Sequence, residues 1–430
     1  MRMATPVAKE PGPAEPDPSF WSALQVREFR LVWLAAVQSS AGDQLARIAI
    51  VLLVFARTGS AAISALTYAL TFLPALVGGV FLSGLADRYP RRAVMVTCDL
   101  IRLALLVALA FTTLTTPVID GLLVILVLAG APFSAASTAV LPDVLPQRNY
   151  VAGVSLGVVS GQLAQLFGFA AGGACVAFLG MRNTFLLDAA TFAVSASLIR
   201  LGLANRPAPV AEPGADAGHS SYLGRLTVGV RVVCQDPLLR CLLPLAWLPV
   251  FFIAPEAIAP AYARSLGGGA TATGLLMAAM PAGTAIGAWT YARRGSDEQR
   301  ARAVPYLAAA AAGSLVGAWL SPNLMVSLGL WLLCGFFSAY TVSVMTRFVR
   351  RTPAQLRGQV VGLGASGLIA MQGIGSVLAG MMAAVWSPAV AVGAAGLAGV
   401  LSVVLLFGPL RRAEREPATL TTGLPGVVAT

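Results

Sequence analysis

The stretch AAISALTYALTFLPALVGGVFLSGLADRYPRR, residues 61–92, decides how the rest of the chain is read. Residues 61–83 carry no charge and, at ~1.5 Å per helical residue, are long enough to cross the ~30 Å hydrocarbon core of a bilayer. The residues that follow, up to Arg92, gather Asp87, Arg88, Arg91 and Arg92 into one short turn. An uncharged helix delivered to a basic loop is the unit of a polytopic membrane protein, because Lys and Arg collect in the loops that stay in the cytoplasm.

Outward from this unit the pattern recurs. Apolar stretches run over 31–55, 61–83, 93–115, 120–142, 150–179 and 183–203, and again over 239–262, 270–292, 303–321, 325–347, 358–385 and 388–410. One set of turns carries Arg27 and Arg30, then Arg88, Arg91 and Arg92, Arg148, Arg206, Arg225 and Arg231. It continues through Arg293, Arg294, Arg300 and Arg302, Arg350, Arg351 and Arg357, to Arg411, Arg412 and Arg415. The alternate turns hold only Arg57, Arg182 and Arg264. The fold class expected is all-α integral membrane protein: twelve transmembrane helices in two six-helix bundles, with both termini on the cytoplasmic side of the cell inner or plasma membrane.

The expected layout is a disordered cytoplasmic tail over 1–28, rich in Pro6, Pro11, Pro13, Pro16 and Pro18, then a six-helix bundle over 29–204. A cytoplasmic linker follows over 205–237, its Pro- and Gly-rich part running from Arg206 to Ser221, and then a second bundle over 238–410 and a tail over 411–430. Tyr222–Asp236 reads either as a short interfacial helix or as a frayed extension of the seventh span. A weak internal echo links STAVLPDVLPQRNYVAG (137–153) to TVSVMTRFVRRTPAQLRGQ (341–359), which fits two related halves or chance likeness between apolar-flanked turns.

Composition excludes several classes of function. Hydrophobic residues make up 57% of the chain and charged residues 11%, with a mean hydropathy of +0.79. The net charge of +11 resides in Arg flanking apolar spans, so no nucleic-acid partner is expected. Cys98, Cys175, Cys234, Cys241 and Cys334 lack metal spacing and read as small hydrophobes, and His219 is the single histidine, so no metal site is expected. With no GxxxxGK[ST] phosphate loop and no H-E-x-x-H, neither ATP-driven pumping within this chain nor zinc hydrolysis is expected; the chain is not read as an enzyme and takes no cofactor.

Ionisable side chains inside hydrocarbon cost at least ~2.5 kcal/mol and persist mainly where they face a cavity or a partner. Asp43 leads this group, with Arg47 one turn on and able to pair with it. The two readings are a self-neutralised structural pair and a carboxyl that exchanges its proton. Glu256, between Pro255 and Pro260, is the second proton candidate, against an interfacial Glu at a helix exit. Asp99 and Arg102, three apart, read as a structural ion pair, and Asp188 as satisfying groups on a neighbouring helix.

SGLADRYPRR resembles the cytoplasmic signature of the major facilitator superfamily, with Ser83 and Pro90 in place of its two glycines. The resemblance implies a gating latch at Asp87, Arg88, Arg91 and Arg92, against a loop that only sets topology. GFAAGG (168–173) resembles the Gly-Pro-x-x-Gly-Gly element of the superfamily's antiporters, with Phe169 in place of Pro. Its Gly168, Gly172 and Gly173 read as a close helix-packing face. Further segments, FRLVWLAAVQSSAGDQLARIAIVLLVFARTGS (29–60), DLIRLALL (99–106), VLPDVLPQRNYVAG (140–153) and LLDAATFAVSA (186–196), are similar to the branch of enterobactin exporters and macrolide efflux proteins.

That branch implies a secondary active transporter, driven by the proton gradient, that exports an amphiphilic small molecule (antibiotic, siderophore or secondary metabolite) by alternating access, as a monomer. An importer, and a non-transporting sensor or scaffold on the same fold, are the other readings. The superfamily arrangement puts the substrate cavity between spans one, four, seven and ten, with Gln38, Trp247, Phe251, Phe252, Phe336 and Tyr340 as its lining and Gln162 and Gln165 of span five beside it.

Overall fold

The computed structural model describes residues 20–112, 114–207, 222–293, 296–320 and 323–414, and within them the chain is helical without a strand. Residues 1–19 of the expected tail, 208–221 of the linker with His219, and 415–430 lie outside the described residues. Among the described residues eleven helical runs are long and apolar enough to cross a bilayer. The first four are span one (Arg27–Thr58), span two (Ala61–Arg88), span three (Arg91–Phe111) and span four (Thr116–Val144).

The fifth run, Gln147–Gly202, is 56 residues long, about 84 Å of helix, well over twice a hydrocarbon thickness. It turns at Gly180, whose φ of 78° and ψ of 167° are open to glycine and strained for other residues. The arms 147–179 and 181–202 are spans five and six. Span seven starts with Pro237–Ala257 and continues through Ala259–Ser265. Ala270–Arg293, Glu298–Leu320, Leu324–Arg351, Ala354–Val385 and Pro388–Ala413 are spans eight to twelve.

Sequence sets the ends of these helices. Gly59, at φ 63°, closes span one with its N–H on Phe55 O, and Ser60 then caps Ile63 N at 3.3 Å. Asp236 caps Leu238 N and Leu239 N at 2.9 and 3.1 Å and also accepts from Arg351 Nε at 2.7 Å. That cap separates span seven from the helix Tyr222–Gln235, which docks on span eleven with Gly229 against the Gln359 carbonyl and Val232 and Val233 buried. It is therefore not an extension of span seven. The expected tail needs a second correction. Phe20–Gln25 is helical, Ala23 is fully buried, and Ser22 Oγ bonds Asn149 Oδ1 at 3.2 Å, so the tail's last residues are anchored on span five.

The two bundles meet on the half of the molecule away from the Arg-rich turns. Span two lies on span eleven where Gly380 admits Ala65, and span five lies on span eight where Gly173 and Gly274 meet backbone to backbone. On the other half a cleft of about 590 Å³ separates spans two and eleven, lined by Leu76, Gly79, Val80 and Ser83 on one side and Gln355, Gln359 and Ile369 on the other. The bundles are thus closed at the opposite face and parted at the basic face.

Spans eight and ten meet backbone to backbone inside the second bundle. A Cβ at Gly283 would overlap the Leu332 carbonyl and reach Phe336 N at 2.8 Å, and one at Gly335 would overlap the Met280 carbonyl. Both obstacles are backbone, which cannot rotate away. Gly283→Ala is therefore expected to cost about 1–3 kcal/mol, the usual range for overpacking a filled interface. A thermal unfolding midpoint in detergent that does not fall would show that the helices part freely.

Candidate functional site

Two apolar clusters of the first bundle flank its buried charges. One cluster, with Ala46, Ile50, Leu106, Leu126 and Phe192, fills the half near the opposite face, and another, with Val32, Met95, Cys98, Phe133 and Ile199, fills the basic half. Between them lies a polar layer centred on Arg102 of span three, which is fully buried along with Asp99 and Asp188. Its guanidinium sits between the Phe133 and Phe192 rings at 4.9 and 5.2 Å, one ring from each cluster.

Arg102 joins spans one, three and four. Nη1 donates to Ser39 Oγ at 2.7 Å and lies 3.5 Å from Asp43 Oδ1 and 3.7 Å from Asp99 Oδ1, while Nη2 donates to Ala129 O at 3.2 Å. Span six closes the layer. Ser195 Oγ donates to Asp99 Oδ2 at 2.6 Å, and Gln38 Nε2 of span one donates to Thr191 O at 3.1 Å. Asp188 presses on span one at Gly42, where a Cβ would come within 2.6 Å of its Oδ1.

Two sequence expectations need correction here and one gains a member. Asp43 pairs with Arg102, not with Arg47: the long Arg102 side chain reaches it from span three, while Arg47 turns toward Tyr68 and Phe72. Asp99 and Arg102 do stand as an ion pair, at 3.7 Å, and share this layer with Asp43. Asp188 does not satisfy a neighbouring helix. Its Oδ1 accepts from Thr191 Oγ1 of its own span at 3.3 Å, and its buried Oδ2 has no hydrogen-bond partner. Ser39, Thr191 and Ser195 were not singled out from the sequence; their signal was a hydroxyl inside a span at the depth of an acid.

Asp43 differs from the other two acids in being about one-third exposed. It opens, with Gln44 and Arg47, into a cavity of about 260 Å³ bounded by Thr71 and Ala75 of span two and by span four. Ala75 also lines the cleft between the bundles, so the acid layer adjoins the space between spans two and eleven. Arg47 turns toward Tyr68 and Phe72, its guanidinium 5.8 and 5.9 Å from their ring centres.

Tyr68 was also missed in the sequence, and it makes the junction between bundles. Its hydroxyl donates to Glu256 Oε2 at 2.6 Å, with both residues buried. Span seven is broken on either side of Glu256, after Trp247 and after Ala257, which brings the carboxylate onto span two. Glu256 therefore lies in the closed interface and not at an exposed helix exit.

The basic turn is tied down by its arginines. Arg91 bonds Asp143 and the Ala139 carbonyl at the end of span four, and Arg92 bonds the Arg200 carbonyl at the end of span six. Asp87 and Arg88 are exposed and make no ion pair or side-chain hydrogen bond among the described residues, so the acid that meets the turn's Arg is Asp143 and not Asp87.

Of the expected cavity lining, several side chains point elsewhere. Tyr340 and Phe252 are core residues, Tyr340 bonding the Leu245 carbonyl at 3.3 Å. Trp247 Nε1 donates to Gly364 O at 2.9 Å, Phe251 lies against Gly399 of span twelve, and Gln38 is held by span six. Phe336 stacks edge-on with Phe337, and Gln162 is exposed and Gln165 half-buried on span five. Gly168 and Gly172 meet span one at Ala41, Gln44 and Ile48, whereas Gly173 faces span eight. No three His, Cys, Asp or Glu among the described residues stand close enough to hold a metal ion.

Comparison with known proteins agrees with this architecture. The enterobactin exporter EntS of Citrobacter koseri is 29% identical over 383 residues, covering 84% of this chain and 86% of that protein. EntS of Shigella boydii is 28% identical over 420 residues, covering 91% and 95%. Among solved structures, a POT family transporter in complex with a thioalcohol-conjugated peptide superposes with a TM-score of 0.70 at 10% identity, over 90% of this chain and 97% of that one. A bacterial homologue of the human lysosomal transporter Spinster, inward-facing and occupied, gives 0.64 at 15% identity, over 93% and 99%. At such identities these two structures establish a shared fold. The family model of the Major Facilitator Superfamily matches residues 32–326, and the chain belongs to that superfamily as a multi-pass membrane transporter.

Proposed function

We propose that this transporter is a proton-coupled exporter of an amphiphilic small molecule, of siderophore or antibiotic class, and carries out no chemical conversion of its cargo. It works as a monomer in the inner or plasma membrane with its basic face and termini toward the cytoplasm, where the cleft receives the cargo. The observation that carries this reading is the charge balance of the polar layer: Asp43, Asp99 and Asp188 stand around Arg102, with Arg47 one turn from Asp43 on the shared cavity. Three carboxylates against two guanidiniums leave one excess negative charge that a bound proton offsets, and Asp43 opens toward the cleft where protons and cargo arrive.

Support for the cargo class comes from the cleft. Its volume, about 590 Å³, suits a drug-sized molecule, and its walls mix Leu76, Val80 and Ile369 with the hydroxyl of Ser83 and the amides of Gln355 and Gln359. The relatives named as enterobactin exporters support outward movement of a siderophore. Arg91 and Arg92, with Asp143, form the gate of the basic face in this cycle, and Gly168, Gly172 and Gly173 form the surface on which span five shifts between span one and span eight.

The test is transport by the purified protein in liposomes with an imposed pH gradient, read with a panel of dyes, antibiotics and siderophores. Efflux against the proton flow is expected for the native chain. Asp43→Asn is expected to lower the gradient-driven component about tenfold, within the range of coupling free energies of 1–3 kcal/mol. Gradient-driven transport that survives this substitution unchanged removes Asp43 from the coupling path.

A further inference from the structure

On its lipid-facing side the first bundle carries a second groove, of about 390 Å³, between the start of span one and the end of span six. Its walls are Leu31, Val194, Leu198 and Leu201, with Gly202 at its end and Arg27 at its mouth. Gly202 lets the end of span six close directly on Leu31, since a Cβ there would overlap that side chain. Val194 and Leu201 are 48% and 84% exposed, which in a chain of this hydropathy is contact with lipid.

Two features distinguish this groove from the general lipid-facing surface. From Ala193 to Gly202 it follows span six for about 14 Å, close to half the ~30 Å hydrocarbon core, so it is as deep as one leaflet. At its mouth Arg27 makes no ion pair or side-chain hydrogen bond among the described residues. The neighbouring acid cannot serve it: Glu28 Oε2 accepts from Arg206 Nη2 at 2.6 Å and Glu28 Oε1 from Ala204 N at 3.0 Å. Arg92 brings a second guanidinium to the same end of span six, where it bonds the Arg200 carbonyl. A leaflet-deep apolar slot headed by an uncompensated cation matches a lipid whose headgroup is negative.

We propose that this groove seats one acyl chain of an anionic phospholipid from the leaflet on the basic face, with its phosphate held by Arg27. The site is independent of cargo transport, and its test reads lipid binding alone. The full-length protein, stripped of co-purified lipid, is titrated with phosphatidylglycerol and with phosphatidylcholine of the same acyl chains, and adducts are counted by native mass spectrometry.

One phosphatidylglycerol per chain is expected to be retained about fivefold more strongly than phosphatidylcholine, the worth of roughly one basic residue at an anionic headgroup. Arg27→Gln is expected to remove that preference, and Arg30→Gln, an exposed arginine outside the groove, to leave it intact. Val194→Trp, which fills the slot, is expected to weaken retention of both lipids. Equal retention of the two lipids by the native chain, or an undiminished preference in Arg27→Gln, overturns the headgroup assignment. Undiminished retention in Val194→Trp overturns the acyl seat.

Discussion

Replacing Arg102 with methionine is expected to destabilise the folded protein by about 3–5 kcal/mol, the cost of removing one partner from a buried ion pair. Methionine keeps much of the side chain's apolar reach between Phe133 and Phe192. What it removes is the charge facing Asp43 and Asp99 and the donors to Ser39 and to the Ala129 carbonyl. Asp99 then keeps only hydroxyl partners, Ser195 and Ser39, in a site with no exposure. The loss should appear as a lower thermal unfolding midpoint in detergent. Asp99→Asn combined with Arg102→Met should recover part of it, because the fully buried carboxylate beside Arg102 is then gone, while Asp43 is one-third exposed to its cavity. Arg302→Met, at an exposed pair with Glu298, serves as the control and should barely move the midpoint. If Arg102→Met melts where that control melts, the layer is not held together by its charges.

The fold was legible because hydropathy and arginine placement are one-dimensional signals. A span is apolar along its whole length, and Gly180, Gly59 and Asp236 mark turns with residue types that local geometry demands. That Asp43 lies inside a span was legible for the same reason. Its partner was not: helical spacing sees only residues on its own span, so Arg47 stood in for Arg102, whose long side chain arrives from span three. The cavity lining failed for a related reason. Knowing which span carries Tyr340 or Phe252 does not say which way that span faces, and both turn into the second bundle's core. Tyr68 gave a usable hint that went unread, an aromatic hydroxyl about two turns inside a span and away from the interface where tyrosines gather. The backbone contacts of Gly283 and Gly335 left no such hint, since any glycine in an apolar run looks alike until its neighbour is known.

Tyr68→Phe and Glu256→Gln are expected to separate closure of the opposite face from its control by protons. Spans two and seven belong to different bundles, so the 2.6 Å bond from Tyr68 to Glu256 must break whenever that face opens. A hydrogen bond to an ionised group contributes about 1.5–3 kcal/mol, worth roughly tenfold to a hundredfold in the ratio of closed to open molecules. Tyr68→Phe deletes the donor and leaves the carboxylate buried beside Arg47, so it should lower the closed population by a factor in that range. Glu256→Gln keeps a side-chain carbonyl for the hydroxyl to meet and should lower it less. Spin labels at Ala56→Cys and Ser265→Cys, on the ends of spans one and seven near the Phe55–Arg264 contact, report the opening as a longer distance. The proton response should divide the other way. A bond to an ionised acceptor is about twice as strong as one to a neutral acceptor, so a proton arriving on Glu256 would loosen the joint. Only Glu256→Gln removes that group, and its label distance should no longer change with pH, whereas Tyr68→Phe should retain part of the change. A native label distance that stays constant with pH, or a Glu256→Gln chain that tracks pH like the native one, would place the proton-sensitive joint elsewhere and leave Glu256 as a packing contact between the bundles.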